Sequence, residues 1–548
     1  MTNSGTESAQ RAGTDSGRTI PIWYAKNCEL DSPRLNRDAS ADVCIVGAGI
    51  AGLTCAYLLA KAGKSVIVLD EKPIGGGETG RTSAHLASAI DDLFVNIEQS
   101  LGVEAAMVQY ESHAAAIEQI ERIATLEKIE CDFARVDGYL CAGEAHDRDY
   151  LKRECEAARR AGFTDAGLLD RAPVTGFACG PCVRFPRQGR FHPLRYINGL
   201  ANVLRGMGVR IYCGTRVCDL AGDGPVVAKL DGGPLVRAEF GIAATNVPTP
   251  INNWMGIYTK QVAYRSYVIA MEVERGAVTD ALYWDTSDPY HYARVGESET
   301  NPRKSLLIVG GEDHRVGRYG TAREGTERFE KLERWAIERF CRGHGRDAGL
   351  GRVVARWSGQ VAEPDDGVAF VGRVPTRGHQ ACFVITGDSG MGLTGGTLGA
   401  QLVSELILKG GKGKADRDVH PWAALYDPGR KPTTSLDGAV EFVKENAVAA
   451  AQMVEHFTPG DVDSEEKIVP GSGAVIREGM KKVAVYRDDD GALHRCSAVC
   501  PHLKCIVQWN GLEKSWDCPC HGSRFSAKGK LIMGPAIDDL SEINGDGK

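Results

Sequence analysis

The sequence predicts a multidomain protein, with an α/β domain built on a parallel sheet in its first part and a small domain of short β-strands at its end. Three observations lead to this fold class. The chain has 548 residues, which is too many for a single hydrophobic core. A strand, a glycine-rich turn, a helix and a second strand follow one another near residue 45, as in a βαβ unit. Strand-like and turn-like stretches dominate after about residue 460, where cysteine and histidine also cluster.

Composition and charge exclude several classes of partner. The chain is 43% hydrophobic and 25% charged, with a net charge of −7 and no basic block, so we expect no nucleic-acid partner. No apolar run reaches the ~18 residues that a membrane span needs, so we expect no membrane partner. The polar first residues lack the apolar core of a secretory signal. We therefore expect a partly disordered leader over residues 1–35 and a cytoplasmic location.

The glycine-rich turn has the spacing of a dinucleotide-binding motif. Residues 42–46 (DVCIV) are typical of a buried strand, and GAGIAGL follows them. Gly47 permits the tight turn, Gly49 lets the backbone approach a pyrophosphate, and Gly52 allows close helix–strand packing. The amino end of the following helix then faces the phosphates. We therefore predict a Rossmann-like domain, whose cofactor this motif alone leaves open between NAD and FAD.

Other segments favour FAD. Asp70 ends the second strand, where a carboxylate binds ribose hydroxyls, and Glu71 is the neighbouring candidate. The stretches GGGETGRTSAHLAS, GRFHPLRYINGL, SGQVAEPDDGVAFVGR and TGDSGMGLTGG resemble the D-amino-acid-oxidase-like family of flavoproteins, over about residues 20–410. The resemblance implies FAD, held by an early and a late glycine-rich loop. Its expected binding residues are Arg81, Thr82, Ser83 and His85 in the early loop, and Gly387, Asp388, Gly390, Met391, Gly392, Leu393 and Thr394 in the late loop.

The nucleotide-linked segments are spread along the chain, which predicts a discontinuous FAD-binding domain. We expect it to comprise residues 36–95, 185–250 and 350–410, with an α+β substrate domain formed by residues 96–184 and 251–349. Residues 411–459 are predicted to be a connector with one helix, because this stretch begins with Gly, Lys and Pro and then shows helical spacing. Residues 460–548 form the last domain.

The last domain contains two mixed pairs, Cys500-x-His502 and Cys518-x-x-His521. Zinc fingers usually pair Cys with Cys and His with His, so zinc is the less favoured alternative. The stretch resembles a Rieske 2Fe–2S domain. The resemblance implies that the two cysteines hold one iron and the two histidines hold the other. Neutral imidazole ligands raise the potential of such a cluster to about −150 to +300 mV.

The same resemblance extends to the residues around the cluster. It implies a disulfide between Cys505 and Cys520, although two free thiols remain the alternative in a reducing compartment. Ser523 matches a serine that donates a hydrogen bond to the cluster in high-potential Rieske proteins. Phe525 stands where those proteins have a tyrosine donor, so we expect a lower potential. Gly534-Pro535 fits the proline loop that shields the cluster.

Residue types suggest several groups for the chemistry. His192, in FHPLRY, is either a base or a hydrogen-bonding partner of the flavin ring, and the sequence leaves both roles open. Arg265 and Tyr290 are the other predicted catalytic residues, because they lie in segments rich in Tyr, His and Arg. His85 lies one position from the place where some relatives attach flavin covalently, so covalent attachment also stays open.

These features together predict an FAD-dependent oxidoreductase with a Rieske cluster. The first hypothesis is oxidation of a small molecule at a C–N or C–O bond, with electrons passing from flavin through the cluster to an external acceptor. The second is the reverse current, in which a donor feeds the cluster and the protein acts as a reductase or monooxygenase. The third is a redox sensor or electron carrier without its own substrate.

Overall fold

The computed structural model describes residues 17–24, 32–143, 148–172, 180–247, 256–317, 322–341, 351–410, 415–431 and 452–543. Within these ranges the strands form four sheets. Numbered in chain order, the strands of the first sheet are β1 (Ala39–Val46), β2 (Val66–Leu69), β7 (Arg210–Tyr212), β8 (Val217–Ala221), β9 (Val226–Leu230), β10 (Leu235–Asn246), β16 (Phe370–Arg373) and β17 (Cys382–Thr386).

The first sheet is parallel at its centre. Its order is β16–β17–β10–β1–β2–β7, and β1 pairs in parallel with both β2 and β10. Alternate residues of β1 enter different cores: Val43 and Ile45 pack on one side of the sheet, and Cys44 and Val46 pack on the other. Because both faces are covered, the strand is apolar throughout rather than alternating. The predicted Rossmann-like domain is therefore confirmed.

Helices cover this sheet and connect it to the rest of the chain. The helices of the described ranges are α1 (Ile50–Lys61), α2 (Phe94–Leu101), α3 (Val103–Leu126), α4 (Arg148–Arg160), α5 (Pro193–Gly206), α6 (Ala322–Ala336), α7 (Gly392–Lys409), α8 (Asp416–Val419) and α9 (Ala423–Tyr426). Leu53 of α1, Leu200 of α5 and Leu402 of α7 share one hydrophobic core. No helix of the described residues is both long and apolar enough to cross a membrane.

The second sheet is larger and mostly antiparallel. Its strands are β3 (His85–Leu86), β4 (Ala134–Cys141), β5 (Gly167–Leu169), β6 (Cys182–Arg190), β11 (Gln261–Glu274), β12 (Leu282–Asp285), β13 (His291–Glu297), β14 (Lys304–Arg315) and β15 (Arg352–Pro364). The strand order is β15–β11–β14–β13–β12–β4–β6–β3, with β5 paired to β6. With the first sheet it gives the predicted pairing of an α/β domain with an α+β domain.

Three strands lie on the other side of the expected domain boundaries. All of β3, most of β6 and all of β15 fall within the segments 36–95, 185–250 and 350–410, which the sequence assigned to FAD binding. In the structure β3 pairs with β6, β6 pairs with β4, and β15 pairs with β11 along its length. The three strands therefore belong to the second sheet. Local pattern does not record backbone pairing between distant segments.

The last domain contains two small antiparallel sheets, as predicted for an all-β domain. The first has the order β18 (Ser472–Glu478), β19 (Lys481–Arg487), β20 (Leu493–Ser497). The second has the order β21 (Gln508–Asn510), β22 (Ser515–Asp517), β23 (Arg524–Ser526), β24 (Leu531–Met533). The cysteine and histidine loops lie between β20 and β21 and between β22 and β23.

Parts of the expected leader and connector pack against the rest of the protein. Trp23 is buried, and its indole N–H donates to the Thr82 carbonyl at 2.7 Å. Tyr426, in α9, is also buried, and its hydroxyl lies 2.7 Å from the Ser112 hydroxyl on α3. Most of the helix expected in the connector, residues 432–451, lies outside the described residues.

Candidate functional site

A cavity of about 320 Å³ opens beside the glycine-rich turn that follows β1. Most of the predicted FAD-binding residues line it. They are Gly47, Gly49, Asp70, Glu71, Arg81, Thr82, Ser83, His85, Asp388, Gly390, Met391, Gly392 and Leu393. The early and late loops, which are about 300 residues apart in the chain, thus form one site.

The glycines of the turn are required by close backbone contacts. Gly47 has φ +112°, and a Cβ there would lie 2.3 Å from the Ala244 carbonyl oxygen. A Cβ on Gly52 would lie 1.9 Å from the Gly47 carbonyl oxygen, so this glycine serves packing and does not line the cavity. The amino end of α1 is therefore held beside the cavity, where the positive end of the helix dipole attracts phosphate.

Two acidic residues follow β2 at the cavity wall. The Asp70 carboxylate accepts hydrogen bonds from the backbone N–H groups of Ala48 at 2.6 Å and Lys72 at 2.8 Å. Glu71 lies 3.9 Å from the Arg216 guanidinium. Burial raises the pKa of both carboxyls. Asp70 thus fixes the turn as well as lining the site, and both residues remain candidates for the ribose hydroxyls.

The late loop ends at the amino end of α7. Gly387 and Gly390 have φ +69° and +78°, a conformation that favours glycine. Burial, and next the charge of Glu78, raise the pKa of Asp388 to about 7. Two predicted residues of this loop do not line the cavity: Gly387 makes the turn, and the Thr394 hydroxyl lies 2.8 Å from Nδ1 of the buried His113.

These features fit FAD. Amide groups at the ends of two helices, a tight turn in which a Cβ on Gly47 would meet the Ala244 carbonyl, and carboxylates beside the second strand match the phosphates and ribose of a dinucleotide. The separate late loop matches the additional ring system of a flavin. The amino end of the helix that follows this loop stabilises the negative charge that the ring carries when it is reduced.

One end of the cavity carries aromatic and acidic side chains. Tyr290 and Tyr292 have ring centroids 5.6 Å apart, and both line the cavity with Asp91 and Ser266. Burial, and next the charge of Asp313, raise the pKa of Asp91 to about 7. The predicted catalytic residue Tyr290 thus lies in the cavity beside a carboxyl group that titrates near neutral pH.

The other two predicted catalytic residues lie elsewhere. His192 caps the amino end of α5, where its Nδ1 accepts from the backbone N–H of Arg195 at 3.2 Å. It lines a separate cavity of about 60 Å³ with Trp23. Arg265 is 1% exposed and points toward the last domain, 3.8 Å from Asp517. Neither position supports a catalytic role, and we do not propose one for either residue.

The four predicted cluster ligands converge in the last domain. Cys500 and Cys518 are buried, and the hydrogen bond between their thiols lowers the pKa of Cys500 and raises that of Cys518. The rings of His502 and His521 have centroids 5.1 Å apart. Each has a buried ring nitrogen, Nε2 of His502 and Nδ1 of His521, without a hydrogen-bond partner among the described residues. Two thiols and two unpaired imidazoles fit a Rieske cluster.

The surroundings of the cluster also follow the prediction. Cys505 and Cys520 form a disulfide, which confirms the predicted bridge between the two ligand loops. The Cys518 sulfur lies within 4.8 Å of both disulfide sulfurs, but a disulfide has no thiolate to offer a metal. The Ser523 hydroxyl accepts from the Ala536 N–H at 3.0 Å, next to the predicted proline loop.

The last domain contributes to the flavin cavity itself. Leu531–Gly534, Ala536 and Ile537 line the cavity together with the early and late loops. Tyr258, which precedes β11, contacts both cluster histidines edge-on, with centroid distances of 4.6 Å to His502 and 5.2 Å to His521. The cluster loops are therefore packed against the flavin-binding part of the chain.

Sequence reasoning missed several residues of this site. Asp91 and Ser266 line the cavity without any motif around them that marks a ligand. Gln360 also lines it and lies in SGQVAEPDDGVAFVGR, but the resemblance of that stretch assigned it no role. The contribution of Leu531–Ile537 was also missed, because an apolar loop in one domain carries no sign of the domain that it contacts. Ala244–Asn246 lie in a segment that the sequence did identify as nucleotide-linked.

Comparison with known proteins supports both domains. A model of the family described as FAD dependent oxidoreductase (DAO) matches residues 42–406, more than half of the chain, and a model of the Rieske [2Fe-2S] domain matches residues 459–544. The chain is similar along its length to the "Putative Rieske 2Fe-2S iron-sulfur protein YhfW" of Bacillus subtilis, with 27% identity over 95% of this chain and 97% of the relative.

Two further similarities concern the flavin part. The gamma-glutamylputrescine oxidoreductase of Escherichia coli is 26% identical over 72% of this chain and 89% of its own length. The crystal structure of glycine oxidase from Geobacillus kaustophilus shares the fold, with a TM-score of 0.56, 18% identity, and coverage of 72% of this chain and 99% of that one. This chain therefore belongs to the FAD dependent oxidoreductase family and carries a C-terminal Rieske [2Fe-2S] domain.

Proposed function

We propose that this oxidoreductase removes two electrons from a cationic amine at the flavin and passes them singly, through the Rieske cluster, to an external one-electron acceptor. The observation that carries the proposal is the shared wall of the cavity. Residues Leu531–Ile537 of the cluster-bearing domain lie against the same cavity as the glycine-rich turn. A two-electron site and a one-electron site thus adjoin within one chain.

The charges of the cavity favour an amine as substrate. Asp91 places a carboxyl group beside Tyr290 and Tyr292, whose ring faces attract cations. Among the described residues, the arginines that line the cavity are Arg81 and Arg216, and each contacts acidic side chains of the protein. Neither is free to pair with a substrate carboxylate, so an amine without an adjacent carboxylate fits better than an amino acid.

The reaction needs a hydride acceptor and a base. When bound, FAD accepts the hydride from the carbon next to the amine nitrogen, and the cluster carries electrons onward one at a time. Asp91 takes a proton from the ammonium group, because its pKa of about 7 lets it exchange protons near neutral pH. The C–H and N–H bonds break and a C=N bond forms. The two electrons reduce two equivalents of a one-electron acceptor.

The test is anaerobic titration of the holoenzyme with a panel of amines and amino acids. Flavin bleaching identifies a substrate, and EPR follows the cluster. We expect amines to bleach the flavin and a Rieske signal to appear in the same sample. If the flavin bleaches and the signal stays absent, the relay is refuted. If only amino acids bleach it, the amine assignment is wrong. If a donor reduces the cluster first and the flavin second, the current runs in reverse.

A further inference from the structure

The cavity and the cluster are joined by one side chain. Gln360 lies on β15, lines the flavin cavity and is only 3% exposed. Its Nε2 donates a hydrogen bond to the Gly522 carbonyl at 2.9 Å. Gly522 follows directly after the cluster ligand His521, so a single residue contacts both the cavity and the cluster loop.

The orientation of the Gln360 amide is fixed by its neighbours. An Arg265 guanidinium nitrogen donates to Gln360 Oε1 at 3.4 Å. The reversed amide would set its NH₂ group against the guanidinium and its oxygen against the Gly522 carbonyl, and both contacts would be repulsive. Arg265, which the sequence suggested as catalytic, therefore directs the Gln360 donor toward the cluster loop.

The main chain of Gln360 contacts the flavin side. Its backbone N–H donates to the Glu78 carboxylate at 2.8 Å, and Glu78 lies in the early loop at the cavity wall. The connection thus runs from the early loop through the backbone and side chain of Gln360 to the Gly522 carbonyl. Each contact is a hydrogen bond of ordinary length between buried or half-buried groups.

The cluster loop is shaped for this close approach. Gly522 has φ +76°, and a Cβ on it would lie 2.3 Å from the Ala263 Cβ on β11 and 2.8 Å from Gln360 Nε2. On the same loop, Pro519 is so close to Gly317 that a Cβ on that glycine would lie 2.6 Å from the Pro519 Cα. Both sides of the interface therefore use glycine where they approach each other most closely.

We propose that Gln360 is the positioning residue that couples the flavin to the cluster, by holding the Gly522 carbonyl, and with it His521, against the cavity wall. The inference rests on the proposed function, because it concerns the passage of electrons between the two sites. With both groups bound, the two electrons of the reduced flavin would pass to the cluster one at a time, and the external acceptor would reoxidise the cluster after each transfer. Gln360 itself is neither oxidised nor reduced.

The test uses the full-length holoenzyme with Gln360→Leu, which removes the donor at similar volume, and Gln360→Glu, which sets an acceptor against the Gly522 carbonyl. The control is Gln380→Leu, at an exposed position. Bound FAD is reduced with blue light and EDTA under anaerobic conditions, and the appearance of the Rieske signal is followed by EPR. We expect both Gln360 variants to slow cluster reduction severalfold. In Gln360→Leu, which adds no charge, the midpoint potentials of flavin and cluster should stay unchanged.

A second readout does not depend on electron flow. Amide hydrogen exchange at residues 520–523 should rise about fivefold in Gln360→Leu, because a buried hydrogen bond contributes about 1 kcal/mol and about 1.4 kcal/mol corresponds to a factor of ten. Unchanged cluster reduction in both variants would overturn the proposal, and so would a loss of rate in Gln360→Leu that follows a shifted potential. If the cluster of the unaltered protein is never reduced from FAD, the proposed function fails, and the exchange data alone decide whether Gln360 holds the loop.

Discussion

Glu513 offers a sharp test of how the Rieske domain is held against the flavin domain. Its side chain is fully buried between the domains, 3.3 Å from the Arg81 guanidinium. It also accepts from the Thr19 backbone N–H at 3.0 Å and from the Ser358 hydroxyl. Burial alone would raise the pKa of Glu513, but Arg81, Arg265 and Arg524 together lower it to about 2.

The substitution Glu513→Gln removes the charge and leaves the shape. Arg81, Arg265 and Arg524 then lose the carboxylate that they share, and breaking a buried ion pair in this way costs about 3–5 kcal/mol. With a urea dependence of about 1–3 kcal/mol per molar, a loss of 3 kcal/mol lowers the midpoint by about 1–3 M. The assay is the visible circular dichroism of the cluster as urea is raised.

The control is Glu327→Gln on α6. Glu327 pairs with Arg323 at 2.8 Å, but both side chains are at least half exposed, so its loss costs only about 0.3–0.5 kcal/mol. If Glu513→Gln lowers the midpoint no further than this control, Glu513 is not the counter-charge of the buried arginines.

Glu513 also predicts how the stability of the protein depends on pH. The folded pKa of Glu513 lies below its ordinary value of 4.5, so its contribution to stability is complete above that pH. The contribution is lost as pH falls toward 2. Stability between these limits should therefore depend less steeply on pH in Glu513→Gln than in the unaltered protein. Identical slopes would contradict the assigned pKa.

Three further predictions concern the chemistry. Because the pKa of Asp91 is raised to about 7, flavin reduction by a substrate amine should accelerate as pH rises through about 7. The variant Asp91→Asn should abolish this rise in rate. A rate that does not change with pH in the unaltered protein would exclude Asp91 as the base. A hydrogen bond to sulfur stabilises the reduced cluster. Redox titration should therefore give a lower midpoint potential for Ser523→Ala and a higher one for Phe525→Tyr. Shifts of opposite sign would refute the assigned hydrogen-bond donors. Both ring nitrogens of His85 lie within hydrogen-bonding distance of protein groups, so acid precipitation should release FAD, whereas flavin retained in the pellet would indicate covalent attachment.

Local motifs were the part of the site that the sequence predicted well. The Gly47 turn and the cysteine and histidine ligands have fixed spacings, because backbone geometry or a metal cluster imposes them. The Cys505–Cys520 disulfide followed from resemblance and is present. In each case the residues that act together lie close in the chain or in two loops with recognisable patterns.

Residue type alone misled for His192 and Arg265. His192 precedes Pro193, the first residue of α5, and caps that helix; proline at this position is a helix-start signal, which would have favoured the structural role. Arg265 lies on β11 and is 3.8 Å from Asp517 of the Rieske domain, whereas its neighbour Ser266 lines the flavin cavity. Which face meets the Rieske domain depends on packing between segments about 250 residues apart, and no local pattern records it.

The buried ions at this interface explain why the two domains have one fixed arrangement. Taking charges out of water is costly, so a network such as Arg81, Glu513, Arg265 and Asp517 contributes less net stability than an apolar contact of equal area. What the network does impose is one arrangement, since any shift of the domain leaves a buried charge without its partner. Electron transfer between two sites depends on such a fixed arrangement, whereas the stability of each domain does not. Apolar contacts would give such an interface more stability. Ion pairs instead fix the position of the Rieske domain, which the contact between Gln360 and Gly522 requires.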